Sequence, residues 1–417
     1  MTEALIQRAE ILIEQQKYSE AQQILKEVLS SDPNDVHVLA LLSEVNLQLG
    51  KIEDADIAIN SAIGISPDIA HLYFIKARIL IQKEKYDNAE KHLYQAIEIE
   101  PSEANYFSLL ASIKLSRKKY DEALQLADQS LALDAENILG LNIRSTSLIK
   151  LNRKEDAFTT INGALREDPT NSYTHANYGW NLLESGNHKK ALEHFKEALK
   201  NDPNNKFAQS GMAESLKASN FLYRLFLKYA FTMSNLTSRY QWVFIIGFWV
   251  LSRSLRSLAA NNEGLRDYLN PIIMLLAIMA FSTWVIEPIS NLFLRFNKYG
   301  KFLLTKNEIN SSTFVGISLL ICILGTVSYL LFQNDAFLSI VAFGFVMMVP
   351  CGVMFRESKI KNGFLIYSGI MALVGITAIV ISFRDGELYN GMSVLFLFGF
   401  IAFQWIANYL MIKKSNI

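Results

Sequence analysis

Tyr86-Asp87-Asn88-Ala89 returns as Tyr120-Asp121-Glu122-Ala123, a step of 34 residues, and this interval governs the first half of the chain. Working outward, the same step sets Ala21, Ala55, Ala157 and Ala191 in line with Ala89 and Ala123. It also aligns Pro33, Pro67, Pro101, Pro169 and Pro203, with Ala135 where the missing proline would fall. A second small position follows at Ala62, Ala96, Ser130, Ala164 and Ala198, with Val28 in the first unit. No single helix or sheet has so long a period, so the repeated object is a supersecondary unit. An aromatic, an acid and then a small residue read as the start of a helix whose alanine touches a partner helix. Each unit between Thr2 and Asn205 is therefore predicted to be a pair of antiparallel helices. Turns such as Ser31-Asp32-Pro33 and Asn201-Asp202-Pro203 end one hairpin and begin the next. Gly179, in Asn177-Tyr178-Gly179-Trp180, takes the first-helix small position that the other five units fill with Ala or Ser.

On these residues the first half resembles the tetratricopeptide repeat family over six consecutive units, residues 2–220 with a capping helix at the end. The resemblance implies helix pairs stacked into a right-handed superhelix whose first helices line a concave groove. It also implies an interaction scaffold whose ligand the fold does not name. Lys206 to Asn220 is expected to be the extra helix that covers the last apolar face. Counting from each unit's start, the groove positions are His71, Phe74 and Arg78, then Asn105, Ser108 and Ser112, then Asn142 and Thr146, then Tyr173, Asn177 and Trp180. Relatives that clamp chaperone C-terminal carboxylates use Lys, Arg and Asn there; this set has one Arg and no Lys. A peptide held by aromatic anchors and amide hydrogen bonds fits better. The bland alternative is that several of these side chains pack between neighbouring repeats.

Charge divides the chain at the same place as the repeat. Of 40 basic and 40 acidic residues, residues 1–217 hold 24 and 32, and residues 218–417 hold 16 and 8. From Phe221 onward apolar runs rich in Phe, Ile, Leu and Met replace the charged helical pattern, so the second half reads as a membrane domain. Within 221–238, Arg224 and Lys228 lie four apart among aromatics and leucines. This stretch is expected to be an interfacial helix with its cations toward headgroups, or else a core helix between cap and membrane domain.

Six spans are expected in 239–417, near Tyr240–Leu258, Pro271–Asn291, Thr313–Phe332, Phe337–Phe355, Phe364–Phe383 and Met392–Ile412. The first is the weakest, because Arg253 and Arg256 interrupt it. The connection after span two carries Arg295, Lys298, Lys301 and Lys306; the one after span four carries Arg356, Lys359 and Lys361; the tail carries Lys413 and Lys414. The odd connections hold Arg253, Arg256 and Arg266, then none, then Arg384. Positive-inside bias puts the even connections, the array and both termini in the cytoplasm. The acidic, amphipathic N-terminus does not have the basic-then-apolar layout of a signal peptide. The two cysteines, Cys322 and Cys351, sit in apolar runs and suggest packing rather than a disulfide framework.

The sequence offers little for catalysis. All six histidines, His37, His71, His92, His175, His188 and His194, lie in the repeats. That excludes HExxH zinc proteases and Ser/His dyads within the spans. His188 and His194 have no cysteine or acid at ligand spacing, and no glycine-rich phosphate loop is present, so no metal or cofactor is expected. Glu287, in Trp284-Val285-Ile286-Glu287-Pro288, is the acid well inside a span. It is either a proton or cation site joined by a proline-freed carbonyl, or a group that reaches headgroups or pairs with Arg295. Gln404 and Asn408, four apart on the last span, suit interhelical hydrogen bonds, and Pro350-Cys351-Gly352 suits a kink. Gly316, Gly325, Gly344, Gly369, Gly375 and Gly399 suit close helix packing.

The fold class is thus all-α, a repeat solenoid followed by a transmembrane bundle of about six spans. The reading is a non-enzymatic, membrane-anchored scaffold of a bacterial inner membrane that binds protein or peptide partners and the bilayer, with no nucleic-acid partner. Self-association stays open. The rival is a transporter or channel that uses Glu287 and is regulated by the array. The membrane half is similar only in layout to hydrophobic regions attached to bacterial tetratricopeptide proteins.

Overall fold

The computed structural model describes residues 2–297, 300–356 and 362–414, and the regular elements among them are all helical. The chain divides into two compact units, 1–177 and 178–417.

In the first unit helices alternate as the step of 34 requires. First helices are α1 (Thr2–Glu14), α3 (Val36–Gln48), α5 (Ala70–Gln82), α7 (Ala104–Ser116), α9 (Ile138–Lys150) and the start of α11 (Ser172–Glu184). Second helices are α2 (Tyr18–Ser31), α4 (Ile52–Ile65), α6 (Tyr86–Ile99), α8 (Tyr120–Leu133) and α10 (Lys154–Glu167). Capping explains where first helices begin. Asp35 accepts from the Val38 amide at 3.0 Å, Asn137 from Gly140 at 2.8 Å and Asn171 from Thr174 at 2.9 Å, each satisfying an amide that the helix itself leaves open. The turn ahead of these caps is closed by an aspartate, as where Asp32 and Asp134 accept from the amides two residues on.

The ladder alanines Ala21, Ala55, Ala89, Ala123 and Ala157 are fully buried, as are first-helix residues Ala9, Ser43, Ala77, Ala111 and Ser145. Small residues meet there because the two backbones approach closely, and Ser43 and Ser145 use the contact to donate to the carbonyls of Ala55 and Ala157, both at 2.9 Å. Three residues separate first and second helices, and the middle one has positive φ at the same step: Gln16, Gly50, Glu84, Lys118 and Asn152. Only one of these five is glycine, which is why the composition of the turn does not reveal it.

The second unit holds the rest of α11, α12 (His188–Asn201), α13 (Lys206–Lys217), α14 (Phe221–Asn235), α15 (Ser238–Asn261), α16 (Glu263–Leu294), α17 (Lys306–Phe332), α18 (Ala336–Val353), α19 (Gly363–Asp385) and α20 (Gly391–Lys414). Among the described residues, six helices, Arg239–Asn261, Glu263–Leu294, Lys306–Phe332, Ala336–Val353, Gly363–Asp385 and Gly391–Leu410, are long and apolar enough to cross a membrane. Expected and observed helices differ most at the second. Helix α16 begins at Glu263, so Pro271 lies inside it rather than at its start, and Asn262 alone separates it from α15. The proline removes one ladder bond, and the helix runs through it from the polar stretch 263–270 into the apolar run that starts at Ile272.

Glycines set the spacing inside the bundle. A Cβ on Gly344 would stand 2.5 Å from the Cys322 amide nitrogen, so α18 lies backbone to backbone on α17. Gly375 leaves room for the Phe343 ring and Gly399 for the Met371 sulfur, whereas Gly369 faces open space and is no packing glycine. Val315, Val349, Met371, Phe403 and Ala407 form the bundle core. Of the loop cations used for the orientation argument, Lys298, Lys359 and Lys361 lie outside the described residues, as do the side chains of Lys413 and Lys414.

Candidate partner-binding surface

The expected groove residues fall into three groups. Phe74 and Arg78 come together on α5: the guanidinium stands 5.8 Å over the Phe74 ring, and the His71 ring meets the same ring at a tilt, 5.8 Å away. Arg78 is also bound to Glu44 on α3, one repeat earlier, at 2.6 Å. Both side chains keep 29% of their surface exposed, so the pair is reachable from solvent. Phe74 rests in turn on buried Tyr106, 5.4 Å away. The Tyr106 phenol is pushed up by burial and by the adjacent Glu100 carboxylate, which accepts its proton at 3.1 Å.

Asn142 and Asn177 form the second group, and they are buried. Asn142 Nδ2 donates to Thr174 Oγ1 at 2.9 Å, Asn177 Nδ2 donates to Asn142 Oδ1 at 2.9 Å, and Thr146 Oγ1 donates to Asn177 Oδ1 at 3.0 Å. This amide chain joins α9 to α11, and its donors and acceptors are spent within the array. Ser108 and Ser112 donate to carbonyls three residues back in α7, Ser108 buried and Ser112 half-buried. Tyr173, on α11, keeps 46% of its surface exposed.

In the second unit Trp180 is half-buried. It stacks on Phe207 at 5.6 Å, meets Phe195 and Phe231 edge-on, and donates Nε1–H to the Phe207 carbonyl. A Cβ on Gly179 or Gly211 would enter the Phe195 ring, so both glycines exist to admit that ring. Arg224 and Lys228 are exposed on α14, while Tyr223 and Leu227 on the same helix are buried. Glu287 bonds Arg356 of α18's C-terminal end at 2.7 Å, not Arg295, whose guanidinium donates to Thr313 instead. Sequence separation favoured Arg295, but the packing of α16 on α18 brings Arg356 nearer. Gln404 and Asn408 are half-buried and make no hydrogen bond among the described residues.

One arrangement escaped the sequence reading. The residue after each ladder alanine is polar in the first three units and bonds the next first helix and the turn after it: Gln22 to Asn46 and Lys51, Asp56 to Lys76 and Lys83, Glu90 to Lys114 and Arg117. The later units carry Leu124, Phe158 and Leu192 there. That switch from polar to apolar at the fixed step is the signal that would have found it.

Profiles described as tetratricopeptide repeat match residues 12–79, 70–103 and 172–205. Comparison with curated proteins gives no match. Among solved structures, that of MamA is 18% identical, with a TM-score of 0.34, covering 40% of this chain and 92% of its own. Pseudomonas aeruginosa PilF is 18% identical at a TM-score of 0.42, covering 51% and 97%. YrrB, described as a tetratricopeptide protein with an unusual peptide-binding site, is 16% identical at 0.33, covering 45% and 96%.

Proposed function

The N-terminal half of this chain belongs to the tetratricopeptide repeat family, and from that premise we propose a membrane-anchored scaffold that captures a protein or peptide on the first helices of its repeats. The observation that carries the reading is the solvent-reachable Glu44–Arg78 pair over Phe74, because a cation on an aromatic face is the kind of anchor that dominates interfaces. A ligand carboxylate would compete with Glu44 for Arg78, while Ser112 and Tyr173 extend the contact surface and buried Ser108, Asn142 and Asn177 hold its shape. Trp180 offers a half-exposed ring to the same class of ligand. Helices α15–α20 anchor the chain, with Arg224 and Lys228 at the membrane interface. From positive-inside bias we assign the even connections, with Arg295, Lys301, Lys306 and Arg356, and the repeats to the cytoplasm of a bacterium with these helices in its inner membrane.

The test is affinity purification of the full chain from native membranes beside Arg78→Ala and Tyr173→Ala variants. Partners captured by the parent and lost from the variants support the scaffold; identical capture by all three sinks it. A second reading, ion transport, rests on Glu287 paired with Arg356 at the end of the bundle. Flux in vesicles that disappears with Glu287→Gln would put transport ahead of scaffolding.

A further inference from the structure

Second helices of the repeats open on acids, which suit the positive end of the helix dipole: Glu20 in α2, Glu53 and Asp54 in α4, Asp87 in α6, Asp121 and Glu122 in α8, Glu155 and Asp156 in α10. The sixth breaks the rule. Helix α12 opens on His188-Lys189-Lys190 and has no acid in its first turn. The inversion costs α12 stability, so its explanation lies outside the helix.

Helix α14 supplies it. It packs against the α11 end that leads into α12, where Asn235 donates to Glu184 at 2.8 Å and Phe231 meets the Trp180 ring edge-on; there burial first, and then the positive charges of Arg224 and Lys189, hold the His188 imidazole below its ordinary value. Lys189, Lys190, Arg224 and Lys228 are exposed and make no ion pair among the described residues. On α14 the buried residues Tyr223 and Leu227 mark one face, and the opposite face exposes Phe221, Leu222, Leu225 and Tyr229. At 100° per residue Arg224 and Lys228 fall along one edge of that apolar stripe.

The position of α14 in the second unit gives the stripe an occupant. Tyr223 lies within the electrostatic reach of Glu287 and Glu308, and Ala213 of α13 packs with Leu294 and Leu304. Helices α13 and α14 therefore sit at the end of the bundle where α16 stops and α17 starts. The connection there exposes Phe296 and Phe302, 85% and 80%, beside Arg295 and Lys301, with the Lys301 ammonium 4.8 Å from the Phe302 ring centre. Exposed aromatics alternating with cations at the ends of spans match a headgroup layer, with apolar groups going to the acyl boundary and charges to phosphate. An acidic protein would satisfy the cations but leave the phenylalanines in water.

We propose that the first turn of α12 and the outer face of α14 form one platform that binds anionic lipid phosphates, pressing the sixth repeat to the membrane surface. The platform rests on the membrane reading of α15–α20. It makes attachment of the last repeat depend on lipid charge as well as on the spans.

The test uses the full chain in nanodiscs of phosphatidylcholine alone or mixed equally with phosphatidylglycerol, with amide exchange as the readout. Exchange in α14 and the first turn of α12 should slow when phosphatidylglycerol is present. Each cation removed should weaken the lipid response by about fivefold, so a Lys189→Gln, Lys190→Gln, Arg224→Gln triple variant should lose it by about 100-fold. A Leu225→Ser variant should lose protection of α14 while keeping the lipid-charge dependence of α12. Equal exchange in the two lipids, or full protection in the triple variant, overturns the proposal, as does protection that appears only when soluble protein is added. A chain that never enters nanodiscs overturns the membrane reading itself, an outcome visible before any exchange is measured.

Discussion

Replacing Glu90 and Lys114 together should be far less harmful than replacing either alone. The two side chains keep only 12% and 8% of their surface exposed, and Lys114 Nζ lies 2.6 Å from Glu90 Oε2. Burial alone would lower the Lys114 value, but the hydrogen bond and charge of Glu90 outweigh it and hold the ammonium above its ordinary range. Breaking a buried pair from one side costs about 3–5 kcal/mol when the survivor has no other partner. Here each survivor keeps one: Arg117 stays 2.9 Å from Glu90, and Glu122 stays 3.4 Å from Lys114. We therefore expect about 2 kcal/mol for Lys114→Leu or Glu90→Leu alone.

One repeat later the chain already carries the apolar solution, Leu124 and Leu148 at the matching positions. The double variant transplants it. Two buried leucines recover about 1.5–3 kcal/mol each, which offsets the lost pair, so the double variant should lie within about 1 kcal/mol of the parent, with a coupling of about 3 kcal/mol. The assay is local opening free energy of α6 and α7 amides by native-state hydrogen exchange on the full chain. If the double variant loses as much as the two single variants combined, the polar column is not a coupled unit and the reasoning fails.

The other predictions probe backbone, packing and charge. Glu84→Gly and Gln16→Gly should each stabilise their repeat by about 0.5–1 kcal/mol, because left-handed backbone strains an L-residue, while Gly50→Ala should cost about 1 kcal/mol; thermal melts of the three variants check this. Gly211→Ala places a methyl 2.1 Å from the Phe195 ring and should cost about 1–3 kcal/mol, read as faster exchange in α12 and α13. In the bundle, Gly344→Ala should lower the melting temperature in detergent and Gly369→Ala should leave it unchanged. Burial would raise the Asp56 carboxyl, but hydrogen bonds from Lys76 and Lys83 hold it below its ordinary value of 3.8. Its stabilisation is therefore complete above the unfolded value and lost as pH falls through the lower folded one, so acid melts of Asp56→Asn should show a shallower decline below about pH 4.

Much of the solenoid was legible because a constant step constrains every unit at once. The ladder alanines and the proline turns are local features whose meaning depends on neighbours a few residues away, whereas the caps at Asp35, Asn137 and Asn171 were found in the structure. The apolar helices were legible for a similar reason, since length and hydropathy need no tertiary contact. The site was less legible. Position counting put Asn142, Asn177, Phe74 and Arg78 on one list, yet the first two are spent in a buried amide chain and the last two meet solvent with Glu44 beside them. A repeat register says which side of a helix a residue takes; whether a neighbouring repeat covers it depends on the side chains that pack there.

Sequence alone therefore determined the repeat unit, its six copies and the apolar character of α15–α20, all of which follow from periodicity and composition along one strand of chain. Only the tertiary structure decided who pairs with whom. Arg356 reached Glu287 across 69 residues, and Lys114 reached Glu90 between helices. Electrostatic partners are chosen by distance in space, and helix packing sets that distance after the local rules have finished.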